Sequence, residues 1–361
     1  MTSPTQATSQ SQSQTQSRYA ADAAVKSVLI KKTLRPVALV TFGFWGWIES
    51  VLWPGAELRY RPVFIVAPPR SGTTLLYQLM TGHMSTCYFT NLAQRLRVQG
   101  SEIVPVTAAY LVKLLKLDNG QDGAFESYYG ATQGWGGANE ANGIWERWFP
   151  EEQHGVPPGY LSAPDRQGVY RAVAVTERIF DRPFVNKCIR NSVRIEALAE
   201  IFPTALFVEC TRDRLDMAQS IFIARAREFP FELEGTVDPS QQWWSVKPKE
   251  YESIKNKGII EQVCEQVFWV EQSISTARRA LGEDRFHTVD YKGLCQAPRH
   301  ELDRIVRFMN EQGAPTHITK TVPDSFPYST GRKVDDTNYL ALADCLAQLY
   351  GEPMDVRGLT G

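Results

Sequence analysis

Residues 63–74 read VFIVAPPRSGTT, an apolar run that ends in a turn of two prolines, an arginine, a glycine and three hydroxyl residues. The β-branched run at Val63–Ala67 predicts a buried strand, and the apolar stretch at Leu75–Met80 predicts a helix after the turn. At a strand-to-helix turn, free backbone N–H groups and the positive end of the helix dipole point at one spot, which suits a phosphate or sulfate. The stretch Pro68–Thr74 therefore predicts an anion-binding loop.

The side chains of this loop fit the same role. Arg70 supplies a permanent charge with a forked set of donors, and Gly72 permits close approach of the backbone. Three hydroxyl groups add further donors: Ser71, Thr73 and Thr74. The nucleoside-triphosphate loop GxxxxGK is not met, because Thr73 follows Gly72 and Ala67 stands at the first glycine position. The alternative interpretation is a turn without a ligand, whose hydroxyls only cap the helix.

Apolar, β-rich runs recur along the chain, with helical patterns between them. After the first run they lie at Pro183–Cys188, Ala205–Thr211 and Phe286–Tyr291. This alternation predicts an α/β fold in which a P-loop-type parallel β-sheet is flanked by helices. Ligands of such folds bind beyond the carboxyl ends of the strands, so a functional site is expected just after Ala67 and Thr211.

The composition excludes several classes of function. Lysine and arginine total 39 against 40 for aspartate and glutamate, so no basic surplus is available to bind nucleic acid. The six cysteines are scattered without CxxC pairs, which argues against zinc and against a disulfide framework. The sequence shows no pair of acidic residues that indicates a magnesium site, so no metal is expected. This cysteine usage fits a reducing compartment, and a cytoplasmic protein is expected.

The composition also divides the chain into three parts. Residues 1–20 are predicted to be a disordered tail, 21–60 a helical, apolar amino-terminal segment and 61–361 the main domain. Within the second part, Pro36–Trp53 is rich in aromatic residues and carries Glu49. Three interpretations stay open for it: a helix packed on the core, a membrane-surface anchor and a spanning helix. Peripheral membrane contact through 36–53 is thus one expectation, whereas the oligomeric state is not indicated.

The loop resembles the 5′-phosphosulfate loop of the sulfotransferase family, which reads roughly P-(K/R)-(S/T)-G-T-(T/S). Residues Pro69–Thr74 match that pattern throughout. The resemblance implies that 3′-phosphoadenosine-5′-phosphosulfate is the sulfonate donor. It also implies that Arg70 holds the phosphosulfate bridge and that Ser71, Gly72, Thr73 and Thr74 bind the 5′-phosphate. An arginine at this position is more similar to bacterial and Golgi-type members than to the cytosolic branch, which usually has lysine.

A second motif follows the third predicted strand. Arg212 comes directly after that strand, and Ser220 lies eight residues later on a predicted helix at about Leu215–Glu228. Taken alone, this pattern is equally typical of a surface ion pair or a helix cap. However, it resembles the 3′-phosphate site of sulfotransferases, as does the preceding Phe202–Ala205 with its F-P-x-A pattern. The resemblance implies that Arg212 and Ser220 bind the 3′-phosphate.

Three weaker matches follow in the same order, so that the resemblance spans about residues 62–344. Phe184–Lys187 is similar to the family's strand whose lysine, here Lys187, reaches the phosphosulfate. Asp290–Leu294 is similar to a segment whose tyrosine, here Tyr291, lies near the nucleotide. Residues 330–333 resemble the late basic loop that closes over the 3′-phosphate, which implies a role for Lys333.

The base that removes the acceptor proton is harder to find. Several branches of the family have a glutamate some twenty-odd residues after the loop cation, whereas Tyr88–Gln94 contains no acid. We favour Glu140 because a predicted helix from Glu140 to Phe149 places it on one face with Ile144 and Trp148, where desolvation would raise its pKa. The alternatives are that Glu140 only complements the helix dipole, or that His154 is the base.

The acceptor is not identified by the sequence beyond a small-molecule, lipid or glycan hydroxyl or amine. Five tryptophans are candidates to line its pocket or to pack in the core: Trp135, Trp145, Trp148, Trp243 and Trp244. The polar and aromatic stretch at 229–257 is a candidate lid. Two other functions stay open. A nucleotide-dependent kinase would need a lysine after the loop glycine, and a non-catalytic nucleotide-binding protein would keep donor binding without turnover.

Overall fold

The computed structural model describes residues 56–95, 106–117, 134–228 and 243–356. The predicted tail at 1–20, the apolar segment at 36–53 and residues 229–242 of the predicted lid lie outside these ranges. In the part of the chain that is described, no helix combines the length and the apolar character that crossing a membrane requires.

Within the ranges just given, four parallel strands form the sheet, and they lie where the apolar runs predict them. They are β1 (Val63–Val66), β2 (Val185–Lys187), β3 (Leu206–Thr211) and β4 (Phe286–Asp290). Their order across the sheet is β2-β1-β3-β4, and each neighbouring pair is parallel. The predicted α/β fold with a parallel sheet flanked by helices is confirmed.

The helices of the described ranges lie between the strands and after the last strand in the sequence. In chain order they are α1 (Thr73–His83), α2 (Asn91–Arg95), α3 (Val106–Leu114), α4 (Asn142–Trp145), α5 (Ala163–Phe180), α6 (Ile195–Ile201), α7 (Arg214–Glu228), α8 (Tyr251–Ile254), α9 (Ile259–Leu281), α10 (Tyr291–Gln296), α11 (Pro298–Glu311) and α12 (Asp336–Tyr350). Short 3₁₀ turns at Ile189–Val193 and Glu283–Arg285 complete the regular structure.

The central strand β1 divides the core into two layers. Its four residues are fully buried, because both faces of a parallel sheet are covered by other elements. Phe64 packs in one layer against Phe184 and Phe207, with ring centroids 6.5 and 6.1 Å away. Ile65 points to the opposite layer. Side chains alternate between the faces of a strand, and here both sets are apolar, which explains the continuous apolar run in the sequence.

A third apolar cluster lies among α7, α9 and α12. Ile221 of α7, Val263 of α9 and Leu346 of α12 are fully buried in it. The helix that carries Ser220 is therefore supported on its apolar side by the carboxyl-terminal helix.

The cysteines and acidic residues of the described ranges form neither disulfides nor a metal cluster. All six cysteines are free thiols, and five of them are buried. The described residues contain no group of three or more His, Cys, Asp and Glu side chains that is placed to hold a metal ion.

A buried glutamate ties the start of the described chain to α5. Glu177 is fully buried and accepts the backbone N–H groups of Arg59 at 2.6 Å and of Tyr60 at 3.3 Å. Burial raises the pKa of Glu177 from its ordinary 4.5 to about 7, although the two backbone donors oppose the change. The protonated form is therefore favoured in the folded protein more than in the unfolded chain.

This shift predicts a pH-dependent stability. The folded state binds the extra proton between pH 4.5 and about 7, so the contribution of Glu177 is fully present below this window and is lost as the pH rises through it. In Glu177→Gln, that part of the decline in melting temperature with rising pH should disappear. The matched control Glu200→Gln, which removes a carboxylate from a partly exposed pair with Arg166, should keep the wild-type decline. Parallel pH profiles for wild type and Glu177→Gln would contradict the assignment.

Candidate functional site

The carboxyl ends of the four strands open on one cleft of about 680 Å³. The sequence-predicted residues that line it are Arg70, Gly72, Thr73, Thr74, Glu140, Lys187, Arg212 and Tyr291. These side chains come from separate segments of the chain, and the parallel sheet brings them to one edge. Ser71, Ser220 and Lys333 lie outside the lining. Of these, Ser220 contacts the lining residue Arg70.

The loop after β1 presents an uncapped helix end to this cleft. Gly72 is the residue before α1 and has a φ of 93°, in the left-handed region that glycine tolerates best. No side chain caps the first turn of α1, so its leading N–H groups are left for solvent or a ligand. Thr73 and Thr74 line the cleft from the same turn. The predicted anion loop thus has an amino-terminal helix end directed at the cleft.

Gly72 is required for a second, packing reason. A Cβ atom at this position would lie 2.1 Å from Cδ2 of Tyr291, far inside van der Waals contact. The sequence predicts that Gly72 lets another group come close to the backbone. In this structure, that group is the ring of Tyr291, which follows β4.

Ser71 corrects one expectation from the sequence. Its hydroxyl was expected to be a donor to the anion, but the residue is fully buried and the hydroxyl donates to the Pro68 carbonyl at 2.6 Å. That hydrogen bond closes the loop internally. Ser71 therefore contributes to the shape of the loop, and its side chain does not face the cleft.

Arg70 and Ser220 join the two predicted anchors. Arg70 Nε donates to Ser220 Oγ at 2.9 Å, although the two residues are far apart in sequence. Arg70 itself has a positive φ of 68°, and its hydrogen bond to Ser220 directs its side chain towards α7. The serine predicted from its spacing after Arg212 thus contacts the cation of the first loop directly.

Arg212 is held between the loop and the end of β4. Its Nη1 donates to the Arg70 carbonyl at 2.9 Å, its Nη2 donates to the Ser329 carbonyl, and its guanidinium lies 4.9 Å from the centre of the Tyr291 ring. Its Nε is buried and has no hydrogen-bond partner among the described residues. An arginine with one buried donor left over is suited to receive an anion.

Lys333 lies close to these cations. Its backbone N–H donates to Gln219 Oε1 at 2.8 Å, which fixes the late basic loop against α7. Burial, followed by the positive charge of Arg212, lowers the pKa of Lys333; the carboxylate of Asp216 opposes the change, and Arg70 adds to it. Three cations therefore share one region of the site, and an anion there would relieve their mutual repulsion.

Lys187 and Glu140 form an ion pair inside the cleft. Their side chains are 7% and 12% exposed, so the pair is almost completely removed from water. Lys187 ends β2, where a lysine side chain is exposed by default, yet here the whole residue is buried. The structure thus brings together two of the three predicted catalytic residues.

The predicted helix from Glu140 to Phe149 is wrong in its boundaries. The helix α4 spans four residues and begins at Asn142, after Ala141 with a left-handed φ of 59°. Glu140 precedes it and therefore does not share a helical face with Ile144 and Trp148. Its carboxylate contacts the ammonium group of Lys187.

A ladder of amides explains why the helix starts late. Asn139 Oδ1 accepts the N–H of Ala141 at 2.7 Å, and Asn139 Nδ2 donates to Asn91 Oδ1 at 2.7 Å. These contacts hold residues 139–141 in a turn that directs Glu140 to the cleft. Asn91 belongs to the stretch in which other branches of the family would place a glutamate. Here it positions the neighbouring segment that carries Glu140.

His154 does not lie in the cleft. It is buried, and its Nδ1 accepts the backbone N–H of Lys247 at 2.8 Å. Burial and then the charge of Arg190 lower the pKa of His154 to about 2. A ring nitrogen engaged in this way is poorly placed to take a proton from a substrate.

The candidate tryptophans lie in different surroundings, and Trp243 is half-buried and donates its Nε1–H to the Val246 carbonyl at 2.9 Å. Trp145 and Trp148 are buried in the core, and Trp145 Nε1 donates to Asn186 Oδ1 at 3.0 Å. Trp244 lines the cleft, whereas Trp135 is exposed and lies under the Arg95 guanidinium. Several lining residues were not identified from the sequence: Leu75, Gln78, Asn142, Ile189, Arg190, Ser245, Phe326 and Pro327. Of these, Arg190 could have been identified from the sequence, because it is a cation three residues after Lys187, just beyond the end of a predicted strand.

A sequence model of the sulfotransferase family matches residues 62–314, more than half of the 361-residue chain. The matched range contains the loop after β1, Glu140, Lys187, Arg212 and Tyr291, and it ends before Lys333. No curated protein matches the chain in sequence.

Solved structures of bacterial sulfotransferases are similar to this chain at low sequence identity. One from Mycobacterium avium is 14% identical and has a TM-score of 0.46, covering 88% of this chain and 75% of its own. One from Mycobacterium tuberculosis is 17% identical with a TM-score of 0.46, covering 74% and 72%. One from Alicyclobacillus acidocaldarius is 12% identical with a TM-score of 0.38, covering 81% and 97%.

Proposed function

The chain belongs to the sulfotransferase family, and from this premise we propose that its cleft binds 3′-phosphoadenosine-5′-phosphosulfate and passes the sulfonate group to an acceptor. This nucleotide is the donor that the family generally uses. The observation that carries the proposal is the direct contact between Arg70 and Ser220, which joins the loop after β1 to the helix after β3. Two anion anchors that are in contact with each other suit a donor that carries one phosphate on each side of its ribose.

The 5′-end of the donor is assigned to the loop. The uncapped first turn of α1, with Thr73 and Thr74, would receive the 5′-phosphate. Arg70 would lie against the bridge between phosphate and sulfonate, because it lines the cleft beside Thr73 and Thr74.

The 3′-phosphate is assigned to the second anchor. Arg212 has a buried Nε without a protein partner among the described residues, and Lys333 adds charge from the late loop. Ser220 contacts the cation that both anchors share. Burial raises the pKa of Tyr291 to about 12, so its ring stays neutral beside the nucleotide and stacks on Arg212.

The chemical step needs in-line geometry and stabilisation of the departing bridging oxygen. The acceptor oxygen or nitrogen bonds to sulfur, the bond from sulfur to the bridging oxygen breaks, and the nucleotide leaves with the electron pair. Arg70 and Lys187 would offset the charge that develops on that oxygen. Glu140 would take the proton from the acceptor, since its carboxylate lies in the same cleft.

The acceptor half of the cleft is assigned to the remaining walls. Leu75, Ile189, Trp244 and Phe326 provide apolar surface there. Such walls suit a small-molecule or lipid acceptor, or the apolar part of a glycan, that presents one hydroxyl or amine to Glu140.

Donor selectivity tests the proposal. The product nucleotide 3′-phosphoadenosine-5′-phosphate should raise the melting temperature far more than AMP or ATP does at equal concentration, because Arg212 and Lys333 await a 3′-phosphate. A charge-assisted contact contributes roughly 1.5–3 kcal/mol, and each tenfold preference corresponds to about 1.4 kcal/mol, so a preference of about tenfold or more is expected. Equal shifts with AMP would refute the assignment of the second anchor.

A further inference from the structure

The ion pair between Lys187 and Glu140 occupies the part of the cleft where the donor and the acceptor would meet. The following inference rests on the proposed function and concerns how the two side chains divide their work. Among the described residues that line the cleft, Glu140 is the one carboxylate, and it stands among the cations Arg70, Lys187, Arg190 and Arg212. Its nearest charged partner is the lysine assigned to the sulfonate.

The backbone on both sides of this pair is fixed. Asn186 Nδ2 donates to the Glu140 carbonyl at 3.4 Å, and Cys188 Sγ donates to Asn142 Oδ1 at 3.1 Å. These bonds tie the residues next to Glu140 to the residues next to Lys187. These bonds hold residues 140–142 against the end of β2. If Glu140 and Lys187 separate, their side chains have to move and the backbone stays in place.

A second ion pair reinforces the same two segments. Arg190 Nη1 lies 2.7 Å from Glu146 Oε1, so the chain after β2 and the chain after Glu140 are bridged twice. Arg190 lines the cleft, but Glu146 does not. Glu146 thus lies in the same segment as Glu140 and also pairs with a cation of the chain after β2. Unlike Glu140, it does not line the cleft.

The donor would bring a sulfonate into this closed arrangement. The sulfonate is an anion that needs Lys187, and Glu140 already occupies the ammonium group. Two anions at contact distance repel each other, and the repulsion is stronger where water is excluded, as it is at side chains that are 7% and 12% exposed. Either the carboxylate gives up the lysine or the donor binds less tightly.

We propose that Glu140 competes with the sulfonate of the donor for Lys187. Before the donor binds, the carboxylate is neutralised by the ammonium group. When the donor binds, the sulfonate takes over the ammonium, and the released carboxylate becomes available to accept the proton of the acceptor. Glu140 therefore weakens donor binding in the ground state and becomes a base only when the donor is in place.

The test compares two nucleotides that differ in the sulfonate group. The dissociation constants of 3′-phosphoadenosine-5′-phosphosulfate and of 3′-phosphoadenosine-5′-phosphate are measured by calorimetry, without acceptor, for wild type, Glu140→Gln and Glu146→Gln. In Glu140→Gln, the preference for the sulfonated nucleotide should rise by about tenfold over wild type, as expected for removing one charge near a partly screened anion. The control Glu146→Gln should keep the wild-type preference.

The two possible failures can be told apart. An unchanged preference in Glu140→Gln overturns the competition while leaving the proposed donor intact. Wild-type protein that binds neither nucleotide overturns the proposed function as well. If Glu140→Gln does not fold, as judged by its circular dichroism spectrum, Glu140→Asp replaces it. That variant keeps the charge but withdraws it from Lys187 by one methylene, and its preference should lie above that of wild type, whereas a wild-type value overturns the inference.

Discussion

Glu140→Gln is expected to lower kcat by about 10²- to 10⁴-fold, the usual contribution of a general base. Glutamine keeps the volume and the backbone position but cannot take the acceptor proton. Initial rates of sulfonate transfer from labelled donor, with an acceptor found by screening metabolite extracts, measure the effect. An acceptor that ionises easily should be partly spared, because it needs less help from a base.

Two matched variants show whether the loss belongs to the base. Glu146→Gln removes a carboxylate that pairs with Arg190 but does not itself line the cleft, and it should keep kcat within a small factor of wild type. His154→Ala should retain the chemistry, since His154 lies outside the cleft lining and its Nδ1 is engaged by Lys247. An active Glu140→Gln together with an inactive His154→Ala would reassign the base to His154.

Arg70→Ala and Arg212→Ala are expected to fail in opposite ways. Arg70→Ala should lower kcat by about 10²- to 10³-fold with a smaller effect on product-nucleotide affinity, because its charge is needed most as the bridging oxygen becomes negative. Arg212→Ala should raise the donor KM strongly, because the 3′-phosphate, its proposed ligand, does not change during the reaction. Steady-state kinetics with both substrates varied, and calorimetry with the product nucleotide, separate the two patterns.

The contact geometry keeps these two variants distinct. Arg212 donates to the backbone carbonyl of Arg70, which remains when the Arg70 side chain is removed. Arg214→Ala is the matched control, because Arg214 lies two residues further on and pairs with Glu271 at 3.0 Å and Glu352 at 2.6 Å, away from the cleft lining. It should keep the donor KM of wild type. If Arg70→Ala and Arg212→Ala changed the same constant, the division of roles would be wrong.

The fold could be predicted because its determinants are local. Strands buried on both faces read as continuous apolar runs, and each of the four runs overlaps an observed strand. The anion-binding loop could be predicted for the same reason. Its pattern, an arginine and a glycine directly after a strand, is contained in one short stretch of sequence.

The parts that could not be predicted depend on contacts between distant segments. The helical period places Glu140 on a face that does not exist in the structure, because the amide of Asn91 holds Asn139 and α4 starts only at Asn142. The Ser71 hydroxyl was assigned to an anion, but it closes its own loop on Pro68. A helical period or a loop pattern contains no information about which far residue will compete for a hydrogen bond.

The packing of α12 against α7 and α9 has a consequence for where the working unit ends. The family match stops at residue 314, before the late loop and the last helix. Yet Leu346 is buried against the helix that carries Ser220, and Lys333 is fastened to Gln219 of the same helix. The limits of sequence similarity and the limits of the cooperative unit are therefore different. A chain cut where the similarity ends would leave the apolar side of α7 exposed to water and remove one of the cations near the proposed 3′-phosphate site.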